Sequence, residues 1–211
     1  MGHFNTIFFS GMGLGPLFGG VLTDLYSVNI TFMVMATLNL VGFIGTVFFL
    51  PEVKGMHVDK KQSVSYILLL KNKIIKGLFT YRLVVGIGTA ALMTFLPVFA
   101  HRRLGLTTSL IGILLACRTP VSLLQSFTGI LADKYNRKTL IIIGGLISIA
   151  FMALLPMATD FRTLLLFNIL AAAGVSLSMP AANAFLVEEG RTFGMGAVMA
   201  VFMMAMMIGN G

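Results

Sequence analysis

Arg118 stands at a position that calls for a chemical reason. Fourteen uncharged residues lie on each side of it, about 21 Å of helix either way at ~1.5 Å per residue. Snorkelling to water does not easily cover that distance. Ser122, Gln125 and Gly129 follow at +4, +7 and +11 and share its helical face, which is expected to line a wet cavity or a protein interface. There Arg118 can contact an anion or a substrate, or pair with a carboxylate outside this chain. A shifted span that brings it towards the outer surface is the alternative. Asn183, beside Pro180, is a further cavity candidate, although the Ala171–Gly174 and Ser176–Ala182 runs around Asn168 and Asn183 mainly suit close helix contact.

Other chemistry is sparse. None of the seven Asp and Glu residues falls inside an uncharged run, so no carboxylate here is placed to carry a proton through a span. His3, His57 and His101 are far apart and form no ligand set. Cys117, the single cysteine, sits in an apolar run, which excludes a disulfide framework and a cysteine metal cluster. The methionines, Met203, Met204, Met206 and Met207 among them, suit adaptable packing better than a metal relay. No paired His/Asp or nucleophile set appears. An enzyme, a metal and a cofactor are therefore not expected.

The elements that hold these residues must be membrane helices. Of 211 residues 57% are hydrophobic and 10% charged, with mean hydropathy +0.97, against about 25% charged in soluble proteins. Too little polar surface remains to cover a water-soluble core, so the surrounding solvent is the bilayer. Uncharged stretches run from Phe4 to Thr23, Leu25 to Pro51, Leu83 to Ala100, Leu104 to Ala132 (apart from Arg118), Thr139 to Thr159, Thr163 to Val187, and Thr192 onwards. Most exceed the roughly 20 residues a crossing needs. They predict an all-α polytopic bundle with six complete transmembrane helices and a truncated seventh. Barrel strands fail, because Leu140 to Ala158 is apolar on all sides.

The net charge of +8 does not form a nucleic-acid footprint, since its cations lie between apolar runs. Counted by alternate loops, one side holds Lys54, Lys60, Lys61, Lys71, Lys73, Lys76, Arg82, Lys134, Arg137, Lys138 and Arg191, and the other Arg102, Arg103 and Arg162. Eleven against three predicts that the N-terminus, the long connection after Pro51 and the Asp133–Lys138 turn are cytoplasmic. In that connection Tyr66, Ile67, Leu70 and Ile74 share a face beside Lys71 and Lys73, which suits either a surface helix on anionic headgroups or a plain linker.

The ends of the chain resemble each other at an offset of 194 residues, with Met195-Gly196 on Met1-Gly2, Phe202 on Phe8, Met206 on Met12 and Gly209 on Gly15. A true repeat makes the first and seventh segments equivalent helices of two six-helix units. The first segment carries Gly11, Gly15 and Gly19 at i, i+4, i+8, with Pro16 and Gly20 beside them. That stripe is expected to admit a neighbouring helix closely, and Pro16 to permit a bend. Between the fourth and fifth spans stands Gly129-Ile-Leu131-Ala132-Asp133-Lys134-Tyr-Asn136-Arg137-Lys138. Asp133, at a helix C-terminus, is expected to face a donor or another helix N-terminus, and Arg137 and Lys138 to meet Glu188 or Glu189. A solvated positive loop is the plainer reading.

These two segments resemble motifs C and A of the major facilitator superfamily, in order and with the right spacing. Asn136 replaces the usual turn Gly, and Asn tolerates positive φ; Asn210 stands where the repeat would put Pro16's counterpart. The resemblance implies helix five through part of helix eleven of a transporter. Residues 1–51 would end the N-terminal half, 52–75 form the cytoplasmic central linker, and 76–211 begin the C-terminal half. It implies alternating access, a drug or small-molecule substrate, proton coupling with the acid in absent N-terminal helices, and a multi-pass cell-membrane location. A genuine short protein acting as a dimeric half-transporter is the alternative, ahead of a membrane enzyme.

Overall fold

The computed structural model describes residues 2–49, 69 and 71–211, without the side chains of residues 2–10, 12, 123, 126, 127 and 133. Among these residues there are helices and turns but no strand. In order, the α-helices are α1 (Gly2–Leu25), α2 (Val28–Phe49), α3 (Lys73–Leu104), α4 (Thr108–Ala116), α5 (Arg118–Leu123), α6 (Gln125–Lys134), α7 (Arg137–Leu154, extended by a 3-10 turn to Met157), α8 (Phe161–Phe193) and α9 (Met195–Asn210). The expected all-α membrane bundle is present. α2, α3, α7 with its extension, and α8 are each long and apolar enough to cross a bilayer. The expected surface helix around Tyr66 and Ile67 lies outside the described residues.

Short polar side chains set several helix starts. Asn72, Thr107, Asn136 and Asp160 accept hydrogen bonds from first-turn amides of α3, α4, α7 and α8, partners those amides lack inside the helix. Gly105 ends α3 at φ 61°, where its amide reaches back to Ala100 and His101 carbonyls; a side chain would oppose that left-handed cap. Asn136 works differently from the expected positive-φ turn. Its φ is −62° and its Oδ1 accepts from the Lys138 amide at 3.0 Å. It replaces glycine by capping.

Two other features depart from the sequence expectation. The fourth span is interrupted at Cys117 and Leu124, giving α4, α5 and α6. Pro120 has no amide to offer the Ala116 carbonyl, the last residue of α4, and its ring crowds that carbonyl. The common face drawn through Arg118, Ser122, Gln125 and Gly129 assumed a straight helix, and these interruptions disrupt it. Arg82, counted above as a loop cation, lies inside α3 and is 9% exposed.

The long α8 is packed by α7 on one side and by α4–α6 and α9 on others. At the α7–α8 crossing Gly144 and Gly174 bring backbones together; a Cβ on either would press on the other's carbonyl oxygen at 2.5 Å. Gly86 of α3 and Gly209 of α9 make a similar contact. Lipid offers little hydrophobic drive for helix association, so close packing and interhelical hydrogen bonds must hold such a bundle. Ser176 Oγ donates to the Val121 carbonyl at 2.9 Å and Thr128 Oγ1 to the Ser176 carbonyl at 2.7 Å, each worth about 0.6 kcal/mol by membrane precedent. One apolar cluster joins Leu92, Leu96, Leu106, Leu114 and Leu164. A second joins Leu69, Ile75, Leu78, Leu186 and Phe202. Along α3 the cavity-lining stretch from Thr80 to Leu92 runs between them.

Candidate functional site

Arg118 opens α5 and reaches a cavity of about 240 Å³ bounded by α3, α5, α7 and α8. Its Nη1 donates to Asn168 Oδ1 at 2.8 Å. Asn168, fully buried, is oriented by its amide nitrogen, which donates to the Leu114 carbonyl at 2.7 Å and to Cys117 Sγ at 3.5 Å. Leu114 lies in the last turn of α4, so that turn helps to aim the guanidinium. The rest of the lining is mostly apolar: Val84, Val85, Leu92, Ile149, Met152 and Val175, with Tyr81, Ser148 and Ser178 among its hydroxyls. Tyr81 and Ser178 hydroxyls are hydrogen-bonded to each other at 2.7 Å.

The other cavity candidates are not among the residues that line this cavity. Ser122 Oγ donates to its own helix at the Thr119 carbonyl, 2.7 Å away, and Gln125 does not line this cavity. Asn183 is exposed. Asn168, assigned to helix contact from sequence, is the buried partner of Arg118.

α1 packs on α4 and α5 through bare backbone. A Cβ on Gly20 would meet the Thr108 carbonyl oxygen at 2.5 Å, one on Gly112 would strike the Pro16 carbonyl, and one on Gly13 would strike the Thr119 side chain. The expected stripe of Gly11, Gly15 and Gly19 has nothing within 4 Å of its Cβ positions. Within the described residues, close approach therefore uses the face marked by Gly13, Pro16 and Gly20. Asp24, at the same end of α1, accepts from the Thr108 amide at 3.1 Å and the Ser109 amide at 2.6 Å. Hydrogen bonding by the Ser109 side chain first, then by the Ser109 amide and by Thr108, holds its carboxyl down at about 2, as expected for a carboxylate on a helix N-terminus.

The motif-bearing turn between α6 and α7 joins α8. Arg137 Nη1 donates to Glu188 Oε2 at 2.9 Å in an ion pair whose side chains are 34% and 67% exposed. Glu189 instead accepts from Asn72 Nδ2 at 2.8 Å, while Asn72 Oδ1 caps α3. Lys134 and Lys138 are exposed, Gly129 half-buried. The Asp133 backbone lies in α6 one residue before its end; its side chain, expected to face a donor or another helix N-terminus, lies outside the described side chains.

Arg82 has no carboxylate partner among the described residues. Nη1 and Nη2 meet the sulfurs of Met179 and Met206 at 3.4 and 2.8 Å, the guanidinium lies 4.9 Å from the Phe202 ring centroid, and Nε has no partner. No group of three or more His, Cys, Asp or Glu residues able to hold a metal occurs among the described residues.

The sequence profile of the Major Facilitator Superfamily matches residues 1–211. The chain belongs to that superfamily. It is 28% identical over 217 residues to an uncharacterised major-facilitator-type transporter of Methanocaldococcus jannaschii, covering 99% of this chain and 55% of the relative. It is also 29% identical over 198 residues to multidrug resistance protein MdtG of Salmonella schwarzengrund and of Salmonella newport, covering 89% of this chain and 48% of each relative. The chain spans about half the length of the curated relatives it matches.

The superfamily is one of multi-pass membrane transporters rather than of enzymes, and the apolar helices of this chain fit that class. Superfamily transporters handle small-molecule substrates. Asp24 and Arg82 escaped sequence reasoning for one shared reason: each stands at the edge of an uncharged run, where a charge reads as a boundary. A carboxylate beside the glycine motif was the available signal for Asp24. For Arg82 only the helical pattern of Leu78, Arg82 and Gly86, all buried in α3, could have revealed an inward face.

Proposed function

We propose that this chain is the middle to C-terminal portion of a secondary transporter that exports a drug or small molecule by alternating access, coupled to protons. α1 and α2, in residues 1–51, belong to one half, 52–75 to the central connection, and 76–211 to the other half. The N-terminus and central connection are cytoplasmic, by a charge bias that is still ten to three once the buried Arg82 is left out, in a cell membrane. The missing N-terminal helices of the same transporter complete the pathway and hold the proton-carrying acid.

One observation carries the reading: α1 meets α4 and α5 through glycines and a single carboxylate, across elements separated by the central connection. Such a contact can part without unfolding either helix. By contrast, Arg137–Glu188 and Asn72–Glu189 tie α7, α8 and the start of α3 within one half, so that half can rock as a body. Gly129, Asp133, Lys134, Arg137 and Lys138, with Glu188 and Glu189, form the cytoplasmic latch, and the Gly13–Pro16–Gly20 face forms the opposing outer seal. The similarity to MdtG, named for multidrug resistance, supports export of a small molecule.

The test uses the complete reading frame, expressed in cells lacking their own multidrug pumps, with export followed for a panel of fluorescent dyes and antibiotics. Export of at least one compound that stops when a protonophore collapses the proton gradient, without loss of ATP, is expected. Export driven by ATP or by a sodium gradient would overturn the proton coupling. Net uptake along the same gradient would overturn the direction.

A further inference from the structure

We propose that the cavity at Arg118 binds a small amphipathic monoanion, with the guanidinium on the anionic head and the apolar wall on the body. This rests on the transport reading and names the chemical class of its substrate. Among the described residues Arg118 is the only charged group lining the cavity. Among the described residues the one ion pair is Arg137–Glu188, so no carboxylate there neutralises Arg118. Its described partner is the neutral carbonyl of Asn168, itself held by the Leu114 carbonyl on its other side. That arrangement fixes the direction of the guanidinium and leaves its charge uncompensated.

A bare cation in a largely apolar site at membrane depth is costly, and such residues pair with an opposite charge or line a path. A ligand anion that supplies the missing charge gains from the guanidinium's several donors. The neighbouring surfaces define the remainder. Val84, Val85, Leu92, Ile149, Met152 and Val175 present an apolar wall, and ligand pockets of this composition bind the body by contact and the head by a few polar groups. The Tyr81 and Ser178 hydroxyls, already bonded to each other, add a second polar point suited to a neutral oxygen. The volume of about 240 Å³ admits one or two fused rings or a short alkyl chain. A lipophilic cation, by contrast, would meet Arg118 with no acid among the described lining residues to offset the repulsion.

The experiment is equilibrium binding of radiolabelled naphthalene-2-sulfonate to the complete purified transporter in nanodiscs. Its neutral sulfonamide and the cation naphthylmethylammonium serve as competitors. The sulfonate is expected to bind saturably and to be displaced by itself at least tenfold better than by either competitor. Arg118→Met should weaken binding at least tenfold. Because that variant removes the Asn168 contact and can fail to fold, Gly145→Leu supplies an independent arm: Gly145 lines the cavity and no described atom lies within 4 Å of its Cβ position, so leucine there takes up cavity space while Arg118 and Asn168 are both retained. It too should abolish binding while retaining the wild-type elution profile. Wild-type binding in both variants, equal displacement by the cation, or no saturable binding would overturn the proposal. So would loss in Arg118→Met with unchanged binding in Gly145→Leu, since the anion would then sit outside this cavity. Binding is read without transport, so failure of export with binding intact strikes the transport reading alone.

Discussion

Gly112→Ala is a one-carbon change whose effect follows from what surrounds it. An added Cβ would overlap the Pro16 carbonyl oxygen and stand 3.2 Å from the Pro16 carbonyl carbon and 3.3 Å from Leu17 Cα. All three atoms are backbone of α1, so no rotamer change relieves the clash. Restoring ordinary contact near 3.5–4.0 Å requires the helices to separate by about 1 Å. Overpacking of this kind costs about 1–3 kcal/mol, which shifts a two-state equilibrium by a factor of about 5 to 150. Since α1 and α4 fall in different halves of the proposed transporter, the penalty applies only while they touch, and the state in which they part is favoured. The assay is a spin-label distance distribution between Tyr26 and Arg103, both exposed, in the complete protein. The variant should populate a longer distance that the wild type barely samples. Gly144→Ala serves as the contrast: it would press on Gly174 and Ser178 of α8, within one half, and should lower thermal stability without moving that distance. An unchanged distribution in Gly112→Ala, or the same shift in both variants, would refute the idea that the α1–α4 seam is the part that opens.

Asp24→Asn should favour the same parted state, measured by cysteine cross-linking of α1 to α4. The Asp24 carboxyl is lowered from 3.8 to about 2, so its contribution is complete above about 4 and is lost as pH falls through about 2; the cross-linking yield should therefore be flat from pH 5 to 8. Asp133→Asn should lower transport more than membrane expression, and unchanged transport at normal levels would count against the cytoplasmic latch. Arg137→Glu should reduce transport while altering stability by less than about 1 kcal/mol, because exposed ion pairs contribute little, and adding Glu188→Arg should restore activity. Arg82→Met should leave the melting temperature in detergent unchanged or raise it, since the cation it removes has no anionic partner among the described residues; a large fall would reveal a carboxylate supplied from elsewhere.

Membrane spans were legible from sequence because an ionised side chain in lipid carries a large penalty, and the penalty leaves its record as uncharged runs. Helix starts were partly legible for a local reason, as Asn136 and Asp160 act within three residues of themselves. What stayed hidden depends on which faces meet. Glycines at 11, 15 and 19 form a regular stripe, yet the described contacts fall on 13 and 20. Spacing records a face but not the partner it turns to, and α1 has several faces poor in bulk. Pro120 was visible, but its consequence was not: a proline inside a long apolar run can bend a helix, be absorbed by it, or interrupt it. Here the run is interrupted on either side of Pro120, and the last turn of α4 presents the Leu114 carbonyl to Asn168.

The breaks at Cys117 and Leu124 also connect the two sites that sequence treated separately. Thr108 to Pro120 carries three contacts with α1 along its length: Thr108 and Ser109 on Asp24, Gly112 on Pro16, and Thr119 on Gly13. Arg118 stands one residue before Thr119 and faces the other way, to Asn168. α1 on one side and the cavity on the other are therefore joined through one turn of helix at an interruption, where backbone hydrogen bonding is already incomplete. A displacement of α1 that releases Thr119 acts on the backbone that carries Arg118. Coupling between seal and cavity then needs no long pathway; it requires only that α5 adopt two positions, each supported on one side. Ligand at Arg118 should accordingly alter the α1–α4 distance, and the Gly112→Ala variant should alter affinity at Arg118 in the direction set by which of the two states the ligand prefers.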